Sequence, residues 1–387
     1  MNTSTRTALV VVSLLLGFAG LVAALLIRSP LGFSAVTVGT VLVFVALNRW
    51  LEKRGLHFEA LAREAHTATL ATVGGCLLLL PVLFTHVFAQ PQWIPVMVLA
   101  GIYVCLALGL NITVGLAGLL DLGYVAFYAI GAYLGALVSL KLQVGWSLWL
   151  MVPACMGLTA LFGVLLGSPT LRLRGDYLAI VTLGFGEITR IVLNNWNGMT
   201  NGPIGLPGIP QPAIGGFSFG KPFVVAGYTF SNDTIYYLLI VGLAFTIAAV
   251  ARRLDDSRIG RAWRAIREDE LAAGAMGINT RNLKLLAFAC GASFAGVSGL
   301  VFAHKQTYIS PDNFTFIESA NILCMVVLGG MGSIPGVIVG ALLLTILPEK
   351  FRDFDDYRML VLGVSLVLMM RLRPEGLLPR TQQAISR

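Results

Sequence analysis

The sequence predicts an all-α protein, a polytopic transmembrane helical bundle with about 10 to 12 crossings and both termini in the cytoplasm. Three observations carry that expectation. Of 387 residues, 57% are hydrophobic and only 12% charged, with a mean hydropathy of +0.82, whereas soluble domains carry about 25% charged residues. Such a composition cannot cover a water-facing surface. Apolar runs of the ~20 residues that span a bilayer core recur from Ala8 to Met370. The basic residues, finally, are unevenly placed between those runs.

The apolar runs fall at 8–27, 31–47, 69–88, 93–110, 118–140, 147–166, 177–193, 234–251, 283–303, 314–330, 336–348 and 358–370. The last two are short enough to be half-helices or re-entrant segments. With a cytoplasmic N-terminus, the inner connections hold 19 of the 27 Lys and Arg, counting Lys284 with the loop it borders. The opposite orientation leaves 8 inside, so the positive-inside rule selects the first. The run from Ala8 to Ile27 behind Arg6 is expected to remain as a span, because no small-residue cleavage site follows it. The net charge of +8 is read as topology and lipid contact; no nucleic-acid surface is expected.

Chemistry of the enzymatic kind has no visible machinery. The five cysteines stand singly in apolar runs, as small buried hydrophobes do. The four His, at 57, 66, 86 and 304, form no HExxH, so neither a catalytic nor a metal site is expected. The one Gly-Lys pair, Gly220-Lys221, is followed by Pro222, so no phosphate-binding GxxxxGK[ST] loop exists.

Two connections stand out. The stretch 194–233, dense in Gly and Pro, is expected to form an irregular ordered cap outside, either a plain connector or a docking surface. The stretch 252–284 holds eight basic and five acidic residues. Within it Ile259, Ala262, Trp263 and Ile266 follow i, i+3, i+4, i+7, which predicts a short amphipathic helix, and Gly274 and Gly277 offer a stop. Arg258, Arg261, Arg264 and Arg267 decorate that helix. A basic amphipathic helix can lie on anionic headgroups, but the adjacent Glu268, Asp269 and Glu270 would be repelled there. A protein partner on the cytoplasmic side fits the mixed charge better.

Ionisable residues inside apolar spans are costly and mark pathways or packing pairs. Asp121, Glu187 and Glu318 are such residues. Glu187 and Arg190 are three apart and are expected to pair on one helix face. Asp121 and Glu318 lack so near a partner, with Asn111 and Asn321 available for hydrogen bonds in the bundle. Glycines concentrate in 115–123, 183–187, 289–299 and 327–340. They permit close helix packing, as Gly131 and Gly135 do at small-xxx-small spacing. The alternative for 115–123 and 329–336 is a pair of broken helices bordering a cavity.

Four segments, LALGLNITVGLAGLLDLGYVAFYAIGAY, LRLRGDYLAIVTLGFGEITRIV, IGRAWRAIREDELAAGAMGIN and FTFIESANILCMVVLGGMGSIPGVIVG, closely resemble the Liv-type permeases of branched-chain amino acid ABC importers. The resemblance runs in order from about residue 95 to 380. It implies a permease domain over 93–380, preceded by an N-terminal extension over 1–92 with about three helices and followed by a short tail, 381–387. It also implies a bacterial inner-membrane complex with a second, non-identical permease, two cytoplasmic ATPases and an external amino acid binding protein. No cofactor is expected on this chain, with ATP and Mg on the ATPase subunits.

The resemblance further implies that 252–284 docks on an ATPase, with Glu270, Ala272, Ala273 and Gly277 at the Ala-Ala-xxx-Gly core. Leu271 departs from it, standing where the broader importer motif has Glu. Docking of the binding protein falls to Thr200, Asn201, Gly202, Gly205 and Gly208. Asn111, Asp121, Glu187, Arg190, Glu318 and Asn321 are pathway candidates. Related importers carry urea or short amides, and that alternative stays open. An ion-coupled secondary transporter would leave the charged inner loop unexplained.

Overall fold

The computed structural model describes residues 92–141, 148–170, 175–214, 217–220, 222–225 and 228–350, with short pieces at 75–84 and 376–378 and a few isolated positions. The expected spans 8–27, 31–47 and 358–370, and most of 69–88, lie outside the described residues. The chain divides into two compact units, Met1–Ile94 with Glu349–Asp356, and Pro95–Pro348 with Tyr357–Arg387. In the first, Cys76, Leu80 and Phe84 are buried. The functional elements belong to the second.

That unit is built from helices α1 (Trp93–Leu110), α2 (Val125–Lys141), α3 (Leu148–Thr170), α4 (Asp176–Asn195), the single turn α5 (Asn197–Thr200), α6 (Asn232–Asp256), α7 (Arg258–Glu268), α8 (Glu270–Ala275), α9 (Thr280–Gln306), α10 (Phe316–Gly329) and α11 (Ile334–Lys350). Among the described residues five helices are long and apolar enough to cross a membrane, those beginning at Trp93, Leu150, Tyr177, Asn232 and Thr280, with the shorter apolar Val125–Leu140 beside them. The chain is a multi-pass membrane protein.

The core is the contact of α9 with α2 and α3. Lipid offers no hydrophobic drive for helices to associate, so close backbone packing must supply it. A Cβ on Gly131 would fall on the Gly296 carbonyl of α9, and one on Gly299 would fall on the Tyr128 carbonyl of α2. A Cβ on Gly163 of α3 would come within 2.8 Å of the Phe288 carbonyl. Between these approaches, the Tyr124 hydroxyl donates to the Gly291 carbonyl at 3.0 Å, and Cys155 Sγ sits 3.2 Å from the Gly296 carbonyl. All five cysteines are free thiols, as their scattered positions predict.

Two helices are interrupted. The last turn of α1 widens into a π-helix, Asn111–Leu116, with every residue buried. Residues 117–124 are then non-helical, so α2 starts at Val125 and not at 118 as the apolar run suggests. Between α10 and α11 the chain turns through Gly330 and Gly332, both at positive φ. The carbonyls of Leu328 and Gly329, which would otherwise lack partners at a helix end, accept the backbone N–H groups of Leu377 and Leu378 at 2.8 and 3.1 Å. Both interruptions are therefore ordered, hydrogen-bonded backbone, which is the form such breaks must take at membrane depth.

The connection from α4 to α6 contains small hairpins, β2 (Ala213–Ile214) with β3 (Phe217–Ser218) and β4 (Phe223–Val225) with β5 (Tyr228–Phe230). A further strand in it, β1 (Leu206–Pro207), pairs antiparallel with β6 (Tyr308–Ile309), Leu206 opposite Ile309. That pairing ties the connection to the end of α9.

Candidate functional site

The segment expected to meet a protein partner is a helical hairpin, α7–α8, projecting between α6 and α9. Its local structure follows from three caps. Ser257 Oγ accepts from Ile259 and Gly260 N–H at 3.1 and 3.3 Å and starts α7. Asp269 Oδ1 accepts from Leu271 and Ala272 N–H at 2.8 and 3.0 Å and starts α8. Asn279 Oδ1 accepts from Asn282 N–H and starts α9. Each such cap contributes about 1 kcal/mol. The single amphipathic helix expected here is thus two, because Asp269 ends one and begins the next; Gly274 lies inside α8, and Gly277, at positive φ, follows it.

The apolar face expected from spacing faces inward. Trp263 is fully buried with its indole N–H donating to the Leu283 carbonyl at 2.7 Å, and Ile266 is buried beside it. That face packs on the protein and leaves none of these large side chains for headgroups. Two ion pairs hold the hairpin to its neighbours, Arg264 to Asp255 of α6 at 3.1 Å and Glu270 to Lys284 of α9 at 2.6 Å. Arg258, Arg261, Glu268, Asp269, Ala272 and Gly277 are exposed, while Ala273 is buried. Leu271 at the start of α8 and Met276 just past its end are 68% and 83% exposed. Met276 escaped the sequence reading because it lies off the helical stripe, although an apolar residue between two glycines, Gly274 and Gly277, was a usable signal.

Arg267 reaches elsewhere. Its guanidinium Nη1 donates to the Gly115 carbonyl at the end of the π-turn. A Cβ on Gly118, whose φ is +70°, would lie 2.8 Å from Arg267 Cγ, so the left-handed backbone and the close approach both require glycine. On the other side Asn111 Oδ1 accepts the Gly332 N–H at 2.8 Å. The two interrupted helices therefore meet, and Arg267 joins the hairpin to their junction. Asn111 is committed to this junction and does not serve Asp121.

The intramembrane carboxylates have different surroundings. Asp121 is fully buried; its Oδ1 accepts from Gly123 N–H at 3.0 Å, and its Oδ2 has no hydrogen-bond partner. Next to it Thr182 Oγ1 accepts from Leu122 N–H, fastening α4 to the non-helical segment. Glu318 accepts from the Tyr103 hydroxyl at 2.7 Å, a partner 215 residues away that no local spacing reveals. Asn321, one turn along α10, is exposed. Glu187 accepts from Arg190 Nε at 3.1 Å, the pairing that the i, i+3 spacing predicts.

Of the docking candidates in the α4–α6 connection, Thr200, Gly202 and Gly205 are buried. Thr200 Oγ1 lies 2.6 Å from the Leu193 carbonyl and 2.8 Å from that of Trp196, and Asn201 Nδ2 donates to Gly205 at 3.0 Å. The three buried residues shape the turn and present no surface. What they expose is Asn201, Ile204 and Gly208, with Trp196 and Met199 beside them.

A family model described as "Branched-chain amino acid transport system / permease component" matches residues 93–370. The chain is 48% identical over 297 residues to the high-affinity branched-chain amino acid transport system permease protein LivM of Escherichia coli K12, covering 74% of this chain and 69% of that one. It is 28% identical over 293 residues to BraD of Pseudomonas aeruginosa, covering 72% and 92%, and 26% identical over 300 residues to LivH of Escherichia coli K12, covering 73% and 93%; both carry the same description. No solved structure matches. The chain belongs to the family of branched-chain amino acid transport permeases.

Proposed function

We propose that this permease carries leucine, isoleucine and valine across a bacterial inner membrane, driven by ATP that separate ATPase subunits bind with Mg and hydrolyse. The observation that carries the reading is the α7–α8 hairpin. It is capped at each helix start, ion-paired to α6 and α9, apolar and charged on its exposed side, and joined by Arg267 to the interrupted helices. A closure of ATPases gripping that exposed side would move the junction as one body, which is a lever's requirement. The absence of a phosphate-binding loop in the sequence assigns nucleotide to another chain.

The names of the relatives support the substrate. That two permeases of one organism, LivM and LivH, both resemble the chain supports a second, non-identical permease as its partner. An external binding protein would deliver the amino acid to the connection carrying Asn201, Ile204 and Gly208. In this reading both termini are cytoplasmic, the permease domain covers 93–380 after an extension of 1–92, and the whole makes about 10 to 12 crossings.

The test is uptake. In vesicles holding both permeases, both ATPases and the binding protein, radiolabelled leucine should accumulate only with ATP. Full uptake with the ATPases omitted would sink the proposal. Gly277→Val, which forces a branched side chain into a φ of +83°, should abolish ATP-coupled uptake while leaving membrane insertion intact.

A further inference from the structure

An ion pair internal to one helix sits near the middle of the least buried of the five apolar spans among the described residues. In α4, Glu187 and Arg190 lie within about 7 Å of the helix midpoint at 1.5 Å per residue, well inside a ~30 Å hydrocarbon layer. The side chains are 34% and 35% exposed. Both residues belong to α4, so their bond ties that helix to no other. A pair at i, i+3 adds little even to an isolated helix, and charges facing acyl chains are costly. An ionisable pair at this depth marks a pathway or a subunit contact by default.

The residues around the pair are aliphatic and outward. Ile188 and Ile191 are 61% and 53% exposed, and Ile180 lies two turns back on the same side. This stretch of α4 thus offers a cation and an anion, with Ile191 beside them and Ile188 on the flank, within two helical turns. An α-amino acid with a branched side chain has the complementary set. We propose that Glu187 and Arg190 form a transit site for the zwitterionic end of the substrate. The Arg190 fork takes the carboxylate and Glu187 takes the ammonium, while the side chain slides along Ile188 and Ile191.

The chemistry suits passage and not storage. Arg190 and Glu187 exchange each other for the two charges of the ligand, so no charge is left unpaired in the low-dielectric layer at any step. The pair must open for the ligand to bind, which lowers affinity and allows release onward, as a conducting site requires. The inference rests on the importer reading above and gives that reading a site.

The test uses the complete reconstituted complex with loaded binding protein. The double variant Glu187→Gln, Arg190→Gln removes both charges together, so neither is left unpaired, and keeps a polar side chain at each position. We expect leucine uptake to fall about tenfold or more. ATP hydrolysis stimulated by the loaded binding protein should persist, with its half-saturating concentration unchanged. Uptake at the unaltered rate in the double variant would overturn the site. No ATP-dependent uptake by the unaltered complex would instead remove the importer reading itself.

A second measurement leaves the charges in place. In Ile188→Cys, the new thiol should react with a membrane-impermeant methanethiosulfonate above the background of the parent complex, and leucine-loaded binding protein with ATP should slow that reaction. A thiol inert in every nucleotide state would mean that lipid or the second permease covers this face, and would overturn the site whatever the double variant does.

Discussion

Helices α9 and α4 are both apolar spans, yet 78% of the most apolar stretch of α9 is buried in this chain against 22% of that of α4. Each is glycine-bearing. The glycines of α9 let α2 and α3 come to backbone contact, whereas of the two in α4 Gly186 approaches the Gly123 backbone and a Cβ on Gly184 would meet nothing within 4 Å. The difference teaches where function can reside. A helix in close contact on all sides transmits motion as a solid body, because packed interiors deform little. A helix with an open face that carries an ion pair is available to a ligand or a second subunit. The α7–α8 hairpin is fastened to the packed side of this division, by Trp263 bonding Leu283 and Glu270 pairing with Lys284 on α9, and by Arg267 bonding Gly115 in the π-turn after α1.

Breaking the packed side should have the largest effect. Gly299→Val would drive a branched side chain into the Tyr128 carbonyl, and about 3 kcal/mol or more of destabilisation is expected, read as loss of monodisperse protein in detergent. Glu270→Gln leaves the buried Lys284 without its ion pair; a cost of roughly 2 kcal/mol is expected after allowing for the partial exposure of Glu270, seen as a lower thermal midpoint.

The fastening itself can be loosened without touching the core. Arg267→Gln removes the guanidinium from the Gly115 carbonyl and should lower leucine transported per ATP hydrolysed by about tenfold. Unchanged stoichiometry would mean that the hairpin couples by another route. Finally, Ile180→Leu on the open face of α4 should alter stability by less than about 0.5 kcal/mol, measured by the same thermal scan. A large effect there would erase the contrast between the two helices.

How far the sequence leads can be seen residue by residue. Glu187 and Arg190 find each other because helical spacing brings i and i+3 together, and the pair was legible for that reason. Trp263 and Ile266 were legible as one face of an amphipathic helix. The bond between Tyr103 and Glu318 was not, since no periodicity links positions 215 residues apart. Asn111 illustrates the same boundary. Its residue type signals a hydrogen bond in the bundle, but its choice of Gly332 over Asp121 depends on where two interrupted helices meet.

What the sequence by itself determined is the solvent of each segment. Composition, the lengths of apolar runs and the placement of charge distinguish hydrocarbon from water, because that distinction rests on transfer free energies that each residue carries with it. Capping acts within a few positions, yet Asp269, which ends α7 and starts α8, reads in the sequence as part of a single helix, because its charge and not its cap is the visible signal. Only the tertiary structure decided which glycines are contacts and which are open, and that Thr200 is buried while Asn201 is exposed. It alone joined Arg267 to Gly115. Those outcomes depend on which helices share a wall, and lipid-soluble faces look alike in sequence whether they meet a helix, a lipid or a path between them.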